Sequence, residues 1–209
     1  MTFPNLRAHH PQARAVLEFW LQDAMDHGWP SQDLGKLWFG GGAALDRDIE
    51  NRFGDLVRDA LAGGLVPWEA WPLDRLALVV LLDQFTRNVF RSQSQAFAGD
   101  PRAQRLSQEA ITQQWDAELP LAGRVFLTMP LMHAENLAMQ DACVKRFREL
   151  LADAKATHSH ALGKNLESAL QHRNIIAEFG RFPHRNTTLA RSSTVLEQEF
   201  LRDGPRFGQ

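Results

Sequence analysis

The chain has 209 residues, 44% of them hydrophobic, which is enough apolar material for the core of one large domain. Its formal net charge of -2 at pH 7 gives no general attraction to nucleic acids or to an anionic membrane surface. A single cysteine excludes an intramolecular disulfide, and no apolar run approaches the roughly 18 residues of a membrane span. Because the N-terminal residues also lack the apolar stretch of a signal peptide, we expect a soluble, cytoplasmic protein that binds neither nucleic acid nor a membrane.

In the first half of the chain, apolar residues recur at the spacing of helices. One such series begins at Pro11, and another runs from Leu45 to Ala60 between glycine-rich stretches. The Gly40-Gly41-Gly42 stretch lacks the further glycine and the lysine of a phosphate-binding P-loop, so it is interpreted as a linker. From Leu73 to about Phe90 the pattern is apolar nearly all round, which is typical of a helix in the middle of a domain.

The second half predicts further helices with recognisable ends. Asp100-Pro101 pairs an N-cap residue with a proline at the first helical position. The apolar pattern over residues 120–154 predicts a long helical stretch that Pro130 kinks or restarts. Another helix is expected over residues 165–179, and a capping-box pattern at residues 194–197 starts the last one.

No segment shows the sustained alternation of a β-strand, so the residues predict an all-α fold of about eight helices stacked as antiparallel hairpins. The chain has no clean sequence repeat at the roughly 34-residue period of tetratricopeptide arrays. We expect a single domain over residues 1–209, with residues 1–10 and 203–209 loosely ordered.

Three segments carry polar residues at positions where a core is expected. The first is LLDQFTRNVFR, residues 81–91, at the end of the apolar helix. Its polar side chains form two adjoining rows, Asp83, Arg87 and Arg91 in one and Gln84 and Asn88 in the other. This pattern directs the helix end either at a binding cleft or at water, and in the second case Asp83 pairs with Arg87.

The second segment is LTMPLMHAENLAMQ, residues 127–140. His133, Asn136 and Gln140 share one face of a regular helix, whereas Glu135 stands about 200° of helical rotation from His133. On such a helix His133 and Glu135 cannot reach one metal ion, and no second donor lies at a diagnostic spacing. The sequence therefore predicts no metal site and no cofactor.

The third and densest segment is FGRFPHRNTTLAR, residues 179–191. Gly180 is suited to end the preceding helix, and the Phe182-Pro183 pair favours an extended conformation. The residues HRN at 184–186 would then precede a helix that starts near residues 187–188. The free amide groups of a helix N-terminus bind anions, so the segment predicts an oxyanion site.

The charges of the three segments favour a ligand if the segments converge. The arginines are Arg87, Arg91, Arg173, Arg181, Arg185 and Arg191, and the carboxylates are Asp83, Glu135 and Glu178. Because a buried guanidinium without a partner costs several kcal/mol, the surplus arginines must reach water or bind an anion. The alternative is structural, with the arginines tying helices together through Glu135 or Glu178.

The motifs LLDQFTRNVFR, MPLMHAENLAMQ and above all FGRFPHRN, followed by LARSST and Glu197, resemble an uncharacterised bacterial family, domain of unknown function 924. The resemblance extends in order from about Val16 to Leu201. It implies a single all-helical domain of tetratricopeptide-like superhelical type, and it supplies no established activity, cofactor or partner. The polar positions that match the motifs are Asp83, Gln84, Arg87, Asn88, Arg91, His133, Glu135, Arg181, His184, Arg185, Asn186 and Arg191.

At four positions the chain departs from the residues that are usual in the family. Thr128 stands in place of tyrosine, Ala134 of serine, Asn136 of aspartate and Ala190 of glycine. A chemistry that used the hydroxyl group or the second carboxylate would be altered or lost in this protein.

We therefore expect a helical protein whose internal pocket binds a small anionic molecule, such as a carboxylate or phosphate metabolite. If the pocket is catalytic, His133 or His184 is the general acid or base and Glu135 orients or pairs with it. The predicted ligand-binding residues are Asp83, Gln84, Arg87, Asn88, Arg91, Arg181, Arg185, Asn186 and Arg191. The alternative is an interaction scaffold that presents a groove to a peptide or protein, with the polar motifs locking helices together. The sequence does not choose between an enzyme and a binding protein, and it does not indicate an oligomeric state.

Overall fold

The computed structural model describes residues 8–205. Within this range the chain forms ten α-helices and no β-strand, which confirms the predicted all-α fold. The helices are α1 (Pro11–Leu21), α2 (Ala24–His27), α3 (Ala43–Leu61), α4 (Pro72–Val80), α5 (Thr86–Val89), α6 (Asp100–Thr112), α7 (Leu121–Met132), α8 (Leu137–Ala152), α9 (Ala156–Phe179) and α10 (Val195–Asp203). Since α2 and α5 contain only four residues each, eight longer helices remain within residues 8–205, as predicted.

The chain folds into two compact units. Met1–Arg91 and Gln95–Pro130 form the first unit, and Ser92–Ser94 and Leu131–Gln209 form the second. The single domain and its tetratricopeptide-like superhelical form remain predictions. The predicted loose order of residues 1–7 and 206–209 lies outside the described residues. No helix within the described range is both long and apolar enough to cross a membrane.

The core of the first unit is centred on one long helical stretch. α4 continues through a π-helical turn, Leu81–Phe85, into α5, so the chain is helical from Pro72 to Val89, close to the predicted bounds. Every side chain from Leu73 to Phe85 is buried. α1 and α6 pack against α4, while α3 packs against the π-helical turn and α5. Burial of each large apolar side chain in this stretch contributes about 1.5–3 kcal/mol, which makes it the stabilising centre of the unit.

The residues just before α1 are fixed to α4. Asp74, which is fully buried, accepts hydrogen bonds from the backbone N–H groups of His9 and His10, both at 2.8 Å. The same carboxylate lies 2.7 Å from Nδ1 of His10. The described part of the N-terminal stretch, residues 8–10, is therefore held in place by three hydrogen bonds.

In the second unit α8 and α9 pack as a helical hairpin joined by residues 153–155. α9 begins at Ala156 rather than near Asn165 as predicted, so Gly163 lies inside the helix. A glycine in a helix costs about 1 kcal/mol relative to alanine, and packing against α8 outweighs this cost. Near its C-terminal end α9 carries Ile175 and Ile176, which form an apolar cluster with Phe182 of the following loop.

The predicted helical stretch around Pro130 is interrupted. α7 passes through Pro130 and ends at Met132, and residues 133–136 form a non-helical connection to α8. The prediction that His133 and Glu135 lie on one regular helix is therefore wrong. Both side chains instead project from a short connection between two helices.

Side chains replace backbone hydrogen bonds at this interruption. Asn136 caps α8, since its side-chain oxygen accepts the N–H of Met139 at 3.0 Å. The buried Gln140 donates from Nε2 to the carbonyl oxygens of Met132 and Ala134, at 2.6 and 2.8 Å. Such caps satisfy the ends of two helices without changing the apolar periodicity, and this is why the pattern predicted a continuous helix.

The loop after α9 agrees with the prediction at its start and differs at its end. Gly180 ends α9 with a left-handed conformation (φ 70°), and Phe182 is extended (φ -89°, ψ 107°), both as predicted. Pro183–Arg185 form a single 3₁₀ turn, and residues 186–190 form further turns. The helix start predicted near residues 187–188 is therefore wrong, and α10 begins later, at the predicted capping box.

Candidate functional site

The first polar segment lies in the first unit, where its arginines bind carboxylates. Arg87 donates from Nη1 and Nη2 to the two oxygens of Asp100, at 3.0 and 3.2 Å, and from Nη1 to the carbonyl oxygen of Asp83 at 2.7 Å. The Asp83 carboxylate lies 3.7 Å from Nη2, as the structural alternative predicts. Burial disfavours the charged form of Arg87, but the attraction to the Asp100 and Asp83 carboxylates is stronger. The pKa of this guanidinium is therefore raised.

Asp100 does not have the N-cap role that the sequence predicts. Gly99 occupies the N-cap position of α6, and the Asp100 carboxylate is turned to Arg87 instead. A Cβ on Gly99 would collide with the carbonyl oxygen of Leu82, so glycine is required for this close approach. The approach brings α6 against the π-helical turn and places Asp100 beside Arg87.

The last residues of the same segment form hydrogen bonds to the first turn of α3. Arg91 donates from Nε and Nη2 to the two oxygens of Asp46, at 2.7 and 2.8 Å, and Asn88 donates to the same carboxylate at 2.8 Å. The hydrogen bond from Arg91 is the largest influence on Asp46 and lowers its pKa. Together with Gln84, whose Nε2 lies 2.5 Å from Asp83, all five predicted polar residues of this segment contact other residues of the first unit. Their ligand-binding role remains a prediction.

In the second unit, Glu135 joins the connection after α7 to the loop after α9. Its Oε1 accepts the backbone N–H of Phe182 at 2.8 Å. Arg191 donates to both of its oxygens, from Nη1 to Oε2 at 2.6 Å and from Nη2 to Oε1 at 2.9 Å. Burial raises the pKa of Glu135, but the bonds from Arg191 and Phe182 outweigh it and leave the pKa lowered. Glu135 is therefore an ionised anchor for the loop, in the manner of the structural alternative, and its predicted role beside a catalytic histidine remains a prediction.

The other polar residues of the loop are also bound within the second unit. Arg191 donates from Nε to the side-chain oxygen of Asn186 at 3.0 Å, and Asn186 donates in turn to the hydroxyl oxygen of Ser193 at 3.0 Å. Arg181 binds both oxygens of Glu197, at 2.6 and 2.9 Å. The bond from Arg181 lowers the pKa of Glu197 to about 2, so this capping-box carboxylate is also a permanent anion.

Two imidazoles contact the fully buried ring of Phe182, and a third contacts one of them. The imidazole cluster consists of His133, His172 and His184. His172 lies edge-on to Phe182 with ring centroids 5.6 Å apart, and His133 lies 6.2 Å from His172. His184 lies 5.5 Å from the Phe182 ring between centroids, and the Arg185 guanidinium lies over the same ring at 4.5 Å. The structure thus brings together three of the predicted site residues, His133, His184 and Arg185.

Two members of the imidazole cluster are neutral at physiological pH. Burial, reinforced by His133, lowers the pKa of His172 to about 3. Burial and then the positive charge of Arg185 lower the pKa of His184 to about 3 as well. Neutral imidazoles beside a guanidinium can accept a proton or a hydrogen bond, whereas a charged imidazole can only donate.

His172 is a member of this cluster that the sequence did not identify as a site residue. It occupies the same face of α9 as Ile175, Ile176 and Phe179, at helical spacings of three, four and seven residues. A histidine within an otherwise apolar stripe is a signal that could have identified it. Within residues 8–205, no three histidine, cysteine, aspartate or glutamate side chains are grouped so that they could hold a metal ion.

The predicted surplus of arginine is wrong because the count omitted four carboxylates. These are Asp46, Asp100, Asp141 and Glu197, and they bind Arg91, Arg87, Arg173 and Arg181 respectively. The partners lie between 13 and 45 residues from their arginines, outside the three motifs. The number of arginines alone therefore does not require an anionic ligand.

Comparison with known proteins relates the chain to a bacterial protein family. Residues 16–205 match the model of a family described as bacterial protein of unknown function (DUF924). The chain is also similar to the solved structure of the protein of unknown function ATU0120 from Agrobacterium tumefaciens, with 33% sequence identity and a TM-score of 0.74. That likeness covers 92% of this chain and 97% of the other. A search of curated proteins gave no match. The family match over most of the chain confirms the resemblance of the motifs, and the protein belongs to this bacterial family of unknown function, DUF924.

Proposed function

We propose that the second unit binds a small anionic molecule, such as a carboxylate or phosphate metabolite, at the imidazole cluster and Arg185. The observation that carries this proposal is the Arg185 guanidinium held on the Phe182 ring beside two imidazoles that burial keeps neutral. Buried groups with strongly shifted pKa values are more common at functional sites than elsewhere. The cluster combines donors for an anionic oxygen with acceptors for a proton.

The division of roles follows from the charges. Arg185 donates to the anionic oxygens, because a guanidinium offers several N–H groups in one plane. His133 and His184, which are only half-buried, accept a proton or a hydrogen bond from the ligand. If the site is catalytic, His133 is the candidate general base, because a pKa of about 3 makes His184 a weak proton acceptor near neutral pH. Glu135 does not exchange protons in this proposal, since it anchors the loop that carries His184 and Arg185.

Calorimetric titration with a panel of small carboxylates and phosphates tests the proposal. Loss of hydrogen bonds from a charged donor costs about 1.5–3 kcal/mol, so Arg185→Ala should bind a positive compound roughly 10- to 150-fold more weakly. Arg173→Ala is a matched control, because it removes a guanidinium from the same unit, on the exposed side of α9 where Asp141 binds it. Binding that is equally tight in Arg185→Ala and Arg173→Ala would rule out the site.

A second candidate function is an interaction scaffold, and two observations favour it. Within each unit, salt bridges link segments that are distant in sequence, and these salt bridges involve Arg87, Arg91, Arg181 and Arg191. At the start of α10, Val195 and Leu196 are 71% and 68% exposed, which is unusual for two adjacent large apolar residues. Under this alternative, His184→Ala should lower the melting temperature, and no small anion should bind to the wild-type protein.

A further inference from the structure

In the first unit, a buried carboxylate fixes the imidazole of His10. The ring nitrogen Nδ1 lies 2.7 Å from Oδ1 of Asp74, whose side chain is fully buried. The same carboxylate accepts the backbone N–H groups of His9 and His10, both at 2.8 Å. One group therefore holds both the backbone and the ring of His10, so the position of the ring is set before any ligand binds.

The contact with Asp74 also determines which nitrogen of His10 carries the proton. Oδ1 of Asp74 already accepts the backbone N–H of His10, so it is an acceptor for the ring as well, and Nδ1 is the donor. In the neutral ring the other nitrogen, Nε2, then carries a lone pair. Within residues 8–205 this Nε2 forms no hydrogen bond, and the His10 side chain is 36% exposed. The lone pair is therefore accessible from solvent.

Two tryptophans provide apolar surface beside this imidazole. Trp68, which is 2% exposed, lies 5.9 Å from His10 between ring centroids. Trp71 stacks on the ring of His9 at 3.9 Å, and 45% of its surface is still exposed. One side of the His10 ring thus packs towards the core, while an exposed indole lies next to the preceding residue. A flat apolar group of a ligand can pack on such an indole.

We propose that His10 and Asp74 form a second site, which hydrolyses uncharged esters that carry an apolar or aromatic group. His10 is the general base: Nε2 takes a proton from water while the water oxygen forms a bond to the ester carbonyl carbon. The bond from this carbon to the alcohol oxygen then breaks, and Nε2 returns the proton to that oxygen. Asp74 is a positioning residue, because it keeps the accepting nitrogen outward and stabilises the ring while it is charged. The reaction consumes only water, and it does not depend on the anion site of the second unit.

Nitrogen-15 NMR of the histidine side chains at pH 8 tests the orientation of His10 without a substrate. The ring signals that disappear in His10→Gln identify this residue. We expect the wild-type ring to occupy a single tautomer with its proton on Nδ1. A wild-type ring that carries its proton on Nε2 would overturn the proposal, because no lone pair would then face the solvent.

The rate of hydrolysis of p-nitrophenyl acetate over many turnovers tests the activity. His10→Gln leaves Asp74 bound to both backbone N–H groups, so the fold should persist, and kcat/KM should fall by about 100-fold or more. His27→Gln is the matched control, since it removes an exposed imidazole from the same unit and should keep the wild-type rate. Trp71→Ala should raise KM with little change in kcat, because the indole contributes binding surface and takes no part in the proton transfers.

The comparison of wild type with His10→Gln decides the proposal. Equal kcat/KM for the two proteins would overturn it, since hydrolysis would then arise elsewhere on the chain. Wild-type protein that gives no hydrolysis above the rate in buffer would overturn it as well. Either result leaves the anion site of the second unit unaffected, because that site is tested by the binding of carboxylates and phosphates and by Arg185→Ala.

Discussion

Arg191 donates hydrogen bonds from both of its Nη atoms to the carboxylate of Glu135, at 2.6 and 2.9 Å, although the two residues are 56 positions apart in the chain. Glu135 also accepts the N–H of Phe182, the residue around which the imidazole cluster is arranged. The pair therefore fixes the loop after α9 against the connection after α7. Any function of the imidazole cluster depends on this tie, whether the cluster binds a ligand or stabilises the fold.

Removing either partner of this tie should be costly for stability. Glu135→Gln leaves Arg191 without its anion and weakens the bond to Phe182, so we expect a loss of about 1.5–3 kcal/mol in the free energy of unfolding. Urea denaturation measures this loss. Asp141→Asn is the matched control in the same unit, because it breaks the exposed pair with Arg173 and should cost less than about 1 kcal/mol. Equal losses for the two substitutions would show that the Glu135 pair has no special structural role.

Stability should fall as the pH is lowered from neutral, because the folded protein keeps His172 neutral. Burial and the neighbouring His133, with smaller contributions from Arg185 and His184, hold its pKa at about 3 against an ordinary value of 6.5. Between these values the unfolded chain binds a proton that the folded chain does not. The contribution of neutral His172 to the free energy of unfolding is therefore fully present above pH 6.5 and is lost progressively as the pH falls towards 3. Between pH 7 and pH 5 this residue alone should remove about 2 kcal/mol.

Urea denaturation at pH 7, 6 and 5 measures this dependence. His172→Gln cannot be protonated, so its free energy of unfolding should fall less steeply with decreasing pH than that of the wild-type protein. His160→Gln, at an exposed position of the same helix, should leave the wild-type dependence unchanged. Glu135 affects stability only at lower pH. Because its pKa is lowered in the folded protein, its contribution to the free energy of unfolding is lost below about pH 4.5. If the free energy of unfolding of His172→Gln falls with decreasing pH as steeply as that of the wild-type protein, His172 is not held neutral in the folded protein.

Features that a few neighbouring residues determine could be predicted from the sequence. The start of α1 at Pro11, the glycine C-cap of α9 and the capping box of α10 all depend on contacts within one helical turn. The pair of Asp83 and Arg87 is of the same kind, since its members lie four positions apart. For these elements residue type and spacing carry the physical cause, so the predictions agree with the structure.

The arrangement of the candidate site could not be predicted in the same way, because its contacts join distant positions. Nothing near Arg91 in the sequence indicates Asp46, which is 45 residues away and binds it with both oxygens. The helix end at Met132 is satisfied by the side chain of Gln140, eight residues later. Apolar periodicity records which residues are buried, and it contains no information about which polar group satisfies a buried partner.

Ala190→Gly should stabilise the protein. Ala190 has φ 52°, in the left-handed region where a Cβ costs about 1–2 kcal/mol and glycine costs nothing sterically. The larger entropy of glycine in the unfolded chain offsets part of this gain, so we expect a net increase of about 0.5–1 kcal/mol. The left-handed residue lies directly before Arg191, which binds Glu135. Ala177→Gly, at an exposed position within α9, should instead cost up to about 1 kcal/mol.

Two glycines of the same helix should respond to alanine in opposite directions. A Cβ at Gly163 or at Gly180 would meet no atom within 4 Å, so steric contact cannot distinguish the two positions. Gly163 lies inside α9 with helical backbone angles, and Gly163→Ala should raise the free energy of unfolding by about 1 kcal/mol. Gly180 has φ 70° as the C-cap, and Gly180→Ala should lower the free energy of unfolding by about 1 kcal/mol or more.

Thermal and urea denaturation of the two variants measure both effects in the same background. If Gly180→Ala stabilises the protein as Gly163→Ala does, α9 does not end in a left-handed residue. The turn that carries Phe182 towards Glu135 would then have to be formed in another way. Opposite changes in the free energy of unfolding would show that the end of α9 determines the position of the imidazole cluster. The chain turns at Gly180, only two residues before Phe182, whose ring is in contact with His184 and Arg185.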